Sequence, residues 1–304
     1  MGALTRGDEI ERQLQKRILT AYTEALKTSV EGIKDFLREI QRVEDGVKKP
    51  PSFYDTPEKI ERWKAGFYRE LVRRYRVQEI IMEEINRAGA LAAGEIREAM
   101  ADVYMDNLGE VQQLISAGAD RAGVNVSFAA PTRRQVAAAI TSEAGPFSKL
   151  AYKRLGQNVY VRQRLQSELA QACILGESQT KIIQRIRAVT GQSVRQARRV
   201  AQTERTRVQA QARSDAEDEA AEQGVRIVDE WRCRFVNSRE EHMARDGVRV
   251  MHGDVFPGTA MHYPGDPAGP AHEVINCHCY IRPRVLLSTE ALDKNGKIVK
   301  VEAM

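Results

Sequence analysis

The side chains best equipped for chemistry are concentrated near one end of this 304-residue chain. All five histidines lie between His242 and His278, and three of the four cysteines, Cys233, Cys277 and Cys279, fall in or just before the same stretch. Thiols and imidazoles are the natural ligands of soft and borderline metal ions. In an extended segment, Cys277-x-Cys279 puts both sulfurs on one face. Cys233 and His242, on the preceding hairpin, can approach that face. Four N and S ligands in tetrahedral geometry suit a structural Zn²⁺. In a module of about 60 residues, bound metal would compensate for a small core. The same spacing also fits a metal-free module with buried thiols, in which His242 hydrogen-bonds the Asp246-Gly247 turn.

Other polar residues read as structural. Asp266, within Pro264-Gly265-Asp266-Pro267, is expected to cap nearby backbone amides. Asn276 is expected to fix the loop ahead of the two cysteines. Glu204 is placed to pair with Arg207 or to reach into the C-terminal module. Cys173 stands apart on an apolar stripe with Leu165 and Leu169, as a core thiol does. No GxxxxGK[ST] or GxGxxG phosphate loop is present.

Long helices must position these groups. Residues 8–45 carry apolar side chains at Ile10, Leu14, Ile18, Tyr22, Leu26, Ile33, Leu37 and Ile40, which predicts one helix, capped by Asp8 with Glu11. Thr56-Pro57-Glu58 opens a second helix. A helical pattern over 78–122 is interrupted by Gly89, Gly94, Gly109 and Gly118, and 123–131 reads as a loop or short strand. Helices are expected at 132–143 and 147–175. Gly176 and Ser178 then end one helix and start another. That short helix is expected to stop at Gly191. Ser193 with Gln196 opens a longer one to Gln223. After Gly224 the period becomes two, with Trp231, Cys233 and Phe235 inward on a strand. Asp246-Gly247 marks a hairpin turn into a second short strand. Residues 273–283 read as a final strand.

These features resemble the phage Mu F-like family of minor head, or head morphogenesis, proteins. The resemblance rests on Thr203 and Glu204 after Gln202, on Trp231, on His242-x-x-x-Asp246-Gly247, and on Tyr263-Pro264-Gly265-Asp266-Pro267. It ends with Asn276-Cys277-His278-Cys279 and covers roughly residues 175–285. It implies a non-enzymatic virion component. Such a protein associates with the portal and the capsid interior and assists head assembly and DNA packaging or delivery. The implied partners are portal, capsid or scaffolding proteins, in the virion and, during assembly, the host cytoplasm. A reducing cytoplasm disfavours a disulfide among the cysteines.

Two alternatives remain at this level. Kinship of the family's C-terminal domain with ADP-ribosyltransferase-like folds would make Glu204, His242 or Glu273 candidates for holding a nicotinamide nucleotide. A zinc-stabilised DNA-binding protein would use the basic run that includes Arg195, Arg198, Arg199, Arg205 and Arg207 for non-specific phosphate contact. Lys+Arg 47 against Asp+Glu 42 gives only +5, which permits DNA contact without requiring it. The longest apolar runs, such as Ile80-Ile81-Met82, fall far short of the ~20 residues a spanning helix needs, so no membrane partner is expected. The first eight residues show no secretory pattern.

The expected fold class is therefore α+β. A mostly helical, elongated body occupies residues 1–175. The family module, with helices followed by a small β-rich unit, occupies 176–285. A polar, mobile tail fills 286–304.

Overall fold

The computed structural model describes residues 6–141, 146–235 and 238–302, with the side chains of residue 8 and residues 141–150 left undescribed. The cap expected from Asp8 lies outside that description. In chain order the elements are α1 (Arg6–Gly32), α2 (Lys34–Glu44), α3 (Pro57–Arg74), α4 (Val77–Ala122), α5 (Arg133–Thr141), α6 (Pro146–Gly156), α7 (Val159–Ile174) and α8 (Gln179–Glu222). They continue with β1 (Ile227–Arg232), α9 (Glu240–Ala244), β2 (Arg249–Met251), α10 (Ala271–Val274), β3 (Tyr280–Val285), β4 (Glu290–Leu292) and β5 (Ile298–Lys300). Long helices followed by small antiparallel sheets make the fold α+β, as the sequence predicts.

The chain forms two compact units. One takes residues 1–14, 96–150 and 199–304, and the other takes 15–95 and 151–198. The units interleave along the chain, and α1, α4 and α8 each give a segment to both. The division read from sequence at 175 and 285 is sequential and follows different boundaries.

The unit of 15–95 and 151–198 is helical. Its buried side chains include Ile18, Tyr22, Phe36, Ile40, Tyr68, Leu71, Ile81, Leu165, Leu169 and Ile186. The helix expected over 8–45 is divided at Ile33. Ser29 Oγ donates back to the Ala25 carbonyl at 2.7 Å, and Gly32 follows; this pairing bends helices. The Thr56 side chain accepts from Lys59 N, with Pro57 in the first turn, as predicted. Asn158 caps α7 by accepting from Val161 N at 3.0 Å, which splits the helix expected over 147–175. Gly176, at φ +57, ends α7, and Ser178 Oγ accepts from Lys181 N at 3.3 Å to start α8. Cys173 is buried, and burial pushes its thiol up to about 11, as for an inert core thiol.

Glycines stop neither α4 nor α8, against the sequence expectation. The four glycines of α4 lie inside one 46-residue helix. Gly89 is required there because a Cβ would sit 1.8 Å from the Leu155 carbonyl oxygen. Gly191 lies within the 44-residue α8, and Ser193 is a buried mid-helix residue instead of a cap.

The other unit holds the sheet. β1 is central, in the antiparallel order β2-β1-β3, with Asp229 opposite Val250 and Trp231 opposite Ile281. Residues 123–131 form no strand. They run beside the end of α8, where Gln223 accepts from Ser127 N at 3.0 Å and donates to Ser127 O at 2.8 Å. Gly224, at φ +87, closes α8 as expected. Phe235 is not inward: β1 ends at Arg232, and Phe235 is 58% exposed in a left-handed conformation at φ +56. Residues 273–283 are not one strand, because α10 occupies the start and β3 begins only at Tyr280. Nor is the tail featureless. β4 pairs with β5 across a turn in which Asp293 Oδ1 accepts from Asn295 N and Lys297 N.

Candidate functional site

The cysteine–histidine cluster sits in the small core beside the sheet, with Trp231, Val250, Phe256, Met261, Val274 and Ile281. α9 carries His242 inward, leaving it 2% exposed. Its Nδ1 lies 3.5 Å from Cys277 Sγ and 3.4 Å from Cys279 Sγ. The ligand atoms of His242, Cys277 and Cys279 all lie within 4.8 Å of one another. Cys233, just past β1, is buried in the same core. It lies outside that trio, but its thiol interacts with that of Cys279. His242 does not bond the Asp246-Gly247 turn. Asp246 Oδ1 instead accepts from Cys233 N at 2.8 Å, and Gly247 N donates to Trp231 O at 2.7 Å.

The two thiols share a face for a reason other than strand alternation, since both lie in the loop before β3. That loop is shaped by Asn276, at φ +59, and gripped by one face of α8. Thr203 Oγ1 accepts from Asn276 N at 2.9 Å. The Cys277 carbonyl accepts from Thr206 Oγ1 at 2.7 Å and from Gln202 Nε2 at 3.2 Å. Gln202, Thr203 and Thr206 thus use positions i, i+1 and i+4, which fall within about 100° of arc around α8. Thr206 and the engaged role of Gln202 were missed by sequence reading. The available signal was three polar residues on a stretch otherwise bounded by Val200, Ala201 and Val208.

Hydrogen bonding shifts the two thiols in opposite directions. Cys277 is pulled down, first by the Cys279 side chain and then by His242 and the Cys279 amide, against the opposing effect of burial. Cys279 is pushed up by its bond to Cys277, by burial and by the Cys277 charge. Glu273 approaches the other side of the His242 ring, 3.8 Å from Nε2. Arg245 holds Glu273 at 2.5 and 3.3 Å and keeps its carboxyl below the usual range.

The remaining motif residues build the surrounding loops. Asp266 is buried and accepts from His262 N and Ala268 N, both at 2.8 Å, as the turn reading expects. Gly265, at φ +84, presses against Thr206, where a Cβ would meet Cγ2 at 2.9 Å. Tyr263 lies under the Arg213 guanidinium at 5.8 Å, and Pro264 precedes the close approach. Trp231 is fully buried, edge-on to His242 and Phe256.

Glu204 is 2% exposed and accepts from Arg207 at 3.0 and 3.2 Å. This placement corrects part of the basic run. Arg207 is buried and also donates to the Ala139 carbonyl at 2.9 Å, and Arg205 is buried against Glu11. Neither is available to phosphate. Arg195, Arg198 and Arg199 are exposed on α8.

A second cluster was not anticipated. His252 places Nδ1 3.2 Å from Asp229 and 3.1 Å from Glu217, and Nε2 2.9 Å from Asp218. Both ring nitrogens face carboxylates, which is the pattern of a donating imidazolium. The bonds to Asp229 and Glu217 raise its pKa to about 11.

Comparison with known proteins agrees with the motif. Residues 163–282 match the family model described as Phage Mu protein F like protein. No curated protein and no solved structure gives a significant match. Among the described residues, no helix is long and apolar enough to cross a membrane.

Proposed function

We propose that this chain, whose residues 163–282 are a Mu F-like module, is a minor structural protein of a tailed-phage or prophage head. In this reading it associates with the portal and the capsid interior and assists head assembly and DNA packaging or delivery. The observation that carries the reading is the family match, together with the use its motif residues are put to. Thr203, Trp231, Asp246, Gly265, Asp266 and Asn276 are spent on holding loops and core. The three candidates for nucleotide binding are likewise engaged: Glu204 with Arg207, Glu273 with Arg245, and His242 with the thiols. That use favours a scaffold over a transferase. The partners follow as portal, capsid or scaffolding proteins.

The test is quantitative mass spectrometry of purified proheads and filled virions. The chain should co-purify with both at low copy number and crosslink to portal subunits. Its absence from every head intermediate would defeat the proposal.

A second, compatible reading is non-specific DNA contact through Arg195, Arg198 and Arg199, which are exposed and form no ion pair among the described residues. Each phosphate contact contributes about −0.9 to the slope of log affinity against log salt. Replacing all three with Ala should therefore flatten that slope by about 3. Binding that is insensitive to salt, or an unchanged slope, removes these residues from the contact.

A further inference from the structure

We propose that Cys277, Cys279, His242 and Cys233 bind one structural Zn²⁺, with Glu273 as the positioning residue behind His242. The proposal rests on local geometry and stands whether or not the chain is a head protein.

The separations fit a metal. Zn–S bonds of about 2.3 Å and Zn–N bonds of about 2.0–2.1 Å at a tetrahedral angle put S and N about 3.6 Å apart. The two S···N distances here are 3.5 and 3.4 Å. Hydrogen bonding alone accounts for this arrangement poorly. A neutral ring offers one lone pair at Nδ1, yet two sulfurs converge on it. Cys277 Sγ also accepts from the Cys279 amide at 3.4 Å, a bond that suits a metal-bound thiolate.

The surroundings match those of a metal-bound histidine. Such a ring usually turns its other nitrogen toward a carboxylate. His242 Nε2 is buried without a hydrogen bond and has Glu273 at 3.8 Å, itself fixed by Arg245. Cys233 supplies the fourth donor, from the end of β1 and against Cys279. The ion would join the end of β1, α9 and the loop before β3, which α8 already holds through Thr203 and Thr206. A nucleophilic role fits less well, because Cys277 is 1% and Cys279 4% exposed, closed to a substrate.

The experiment uses the full chain, purified under reducing conditions from zinc-replete medium. Elemental analysis should find one zinc per chain. Co²⁺ substitution should give tetrahedral d–d bands and a thiolate charge-transfer band whose intensity counts three sulfurs. Cys277→Ser and His242→Ala should lose the metal, and Cys173→Ser should keep it. Glu273→Ala should keep the stoichiometry but weaken affinity by about 10- to 100-fold. A Cys233→Ser variant with the parent's cobalt spectrum would remove Cys233 from the site. Should the ligand variants fail to fold, the parent alone decides. Substoichiometric zinc, with a thermal midpoint unmoved by a strong chelator, overturns the proposal.

Discussion

Thr206 serves two neighbours at once. Its hydroxyl donates to the Cys277 carbonyl, and its methyl fills the space where Gly265 lacks a side chain. Gly265→Ala would place a methyl on a left-handed backbone and 2.9 Å from Thr206 Cγ2. It should cost about 1–3 kcal/mol. Thr206→Val keeps the shape but removes the donor. Gln202 still reaches the same carbonyl, so the loss should be about 1 kcal/mol. Urea unfolding followed by Trp231 fluorescence in a Trp63→Phe background measures both; the opposite ranking would mean that the hydrogen bond, not the steric fit, holds the loop. At this scale the sequence was partly legible. The Asp266 turn could be read because its partners lie within four residues. The Thr206 contact could not, because its partner is 71 residues away and nothing local marks it.

Helix continuity is where local rules failed. A glycine in a helix interior costs only about 1 kcal/mol relative to alanine, which packing along a helix of this length readily offsets. Gly191 and Gly89 therefore have opposite roles despite similar sequence settings. A Cβ on Gly191 meets only the end of Arg195, at 3.9 Å, so Gly191→Ala should stabilise the chain by about 0.5–1 kcal/mol. A Cβ on Gly89 would collide with the Leu155 backbone, so Gly89→Ala should cost several-fold more than that gain or prevent folding. Thermal melts of the two variants check the contrast. The join of α8 to β1 and β2 through His252 adds a pH dependence. Asp229 on β1, and Glu217 and Asp218 on α8, face the ring, and Arg213 faces Glu217. With the folded pKa raised from 6.5 to about 11, the stabilisation is complete below pH 6.5 and declines as pH rises through 11. Glu217, raised by burial, acts in the same direction from lower pH. Denaturation midpoints of the parent should fall across the alkaline range, and those of His252→Gln should fall less. Equal slopes would show that the ring does not carry the charge.

At the scale of the whole molecule, the family module and the compact unit are different objects. Composition and motif located the module, because its loops are rich in Gly, Pro, Cys and His and the rest of the chain is not. They could not reveal that 6–14 and 96–141 belong to the same unit, since nothing in those helices repeats the motif. The contacts that tie them are specific. Arg205 pairs with Glu11, Arg207 with the Ala139 carbonyl, Asp215 with Tyr104 at 2.5 Å, and Val285 packs on Gly118. A fragment of residues 163–304 contains the entire family match but lacks every one of these partners. Removing one partner of a buried ion pair costs about 3–5 kcal/mol unless the survivor reaches water. If it does reach water, the Arg205 and Arg207 side chains, both buried in the full chain, are exposed in the fragment. The former cost is comparable to the 5–15 kcal/mol that holds a typical domain together. The fragment, supplied with zinc, should therefore show helical circular dichroism without a cooperative unfolding transition, and no fixed environment for Trp231. A longer fragment, 96–304, restores all of these partners except Glu11 and should regain the transition. A sharp, cooperative melt from 163–304 alone would show that the module is self-sufficient and that the interleaved helices only decorate it.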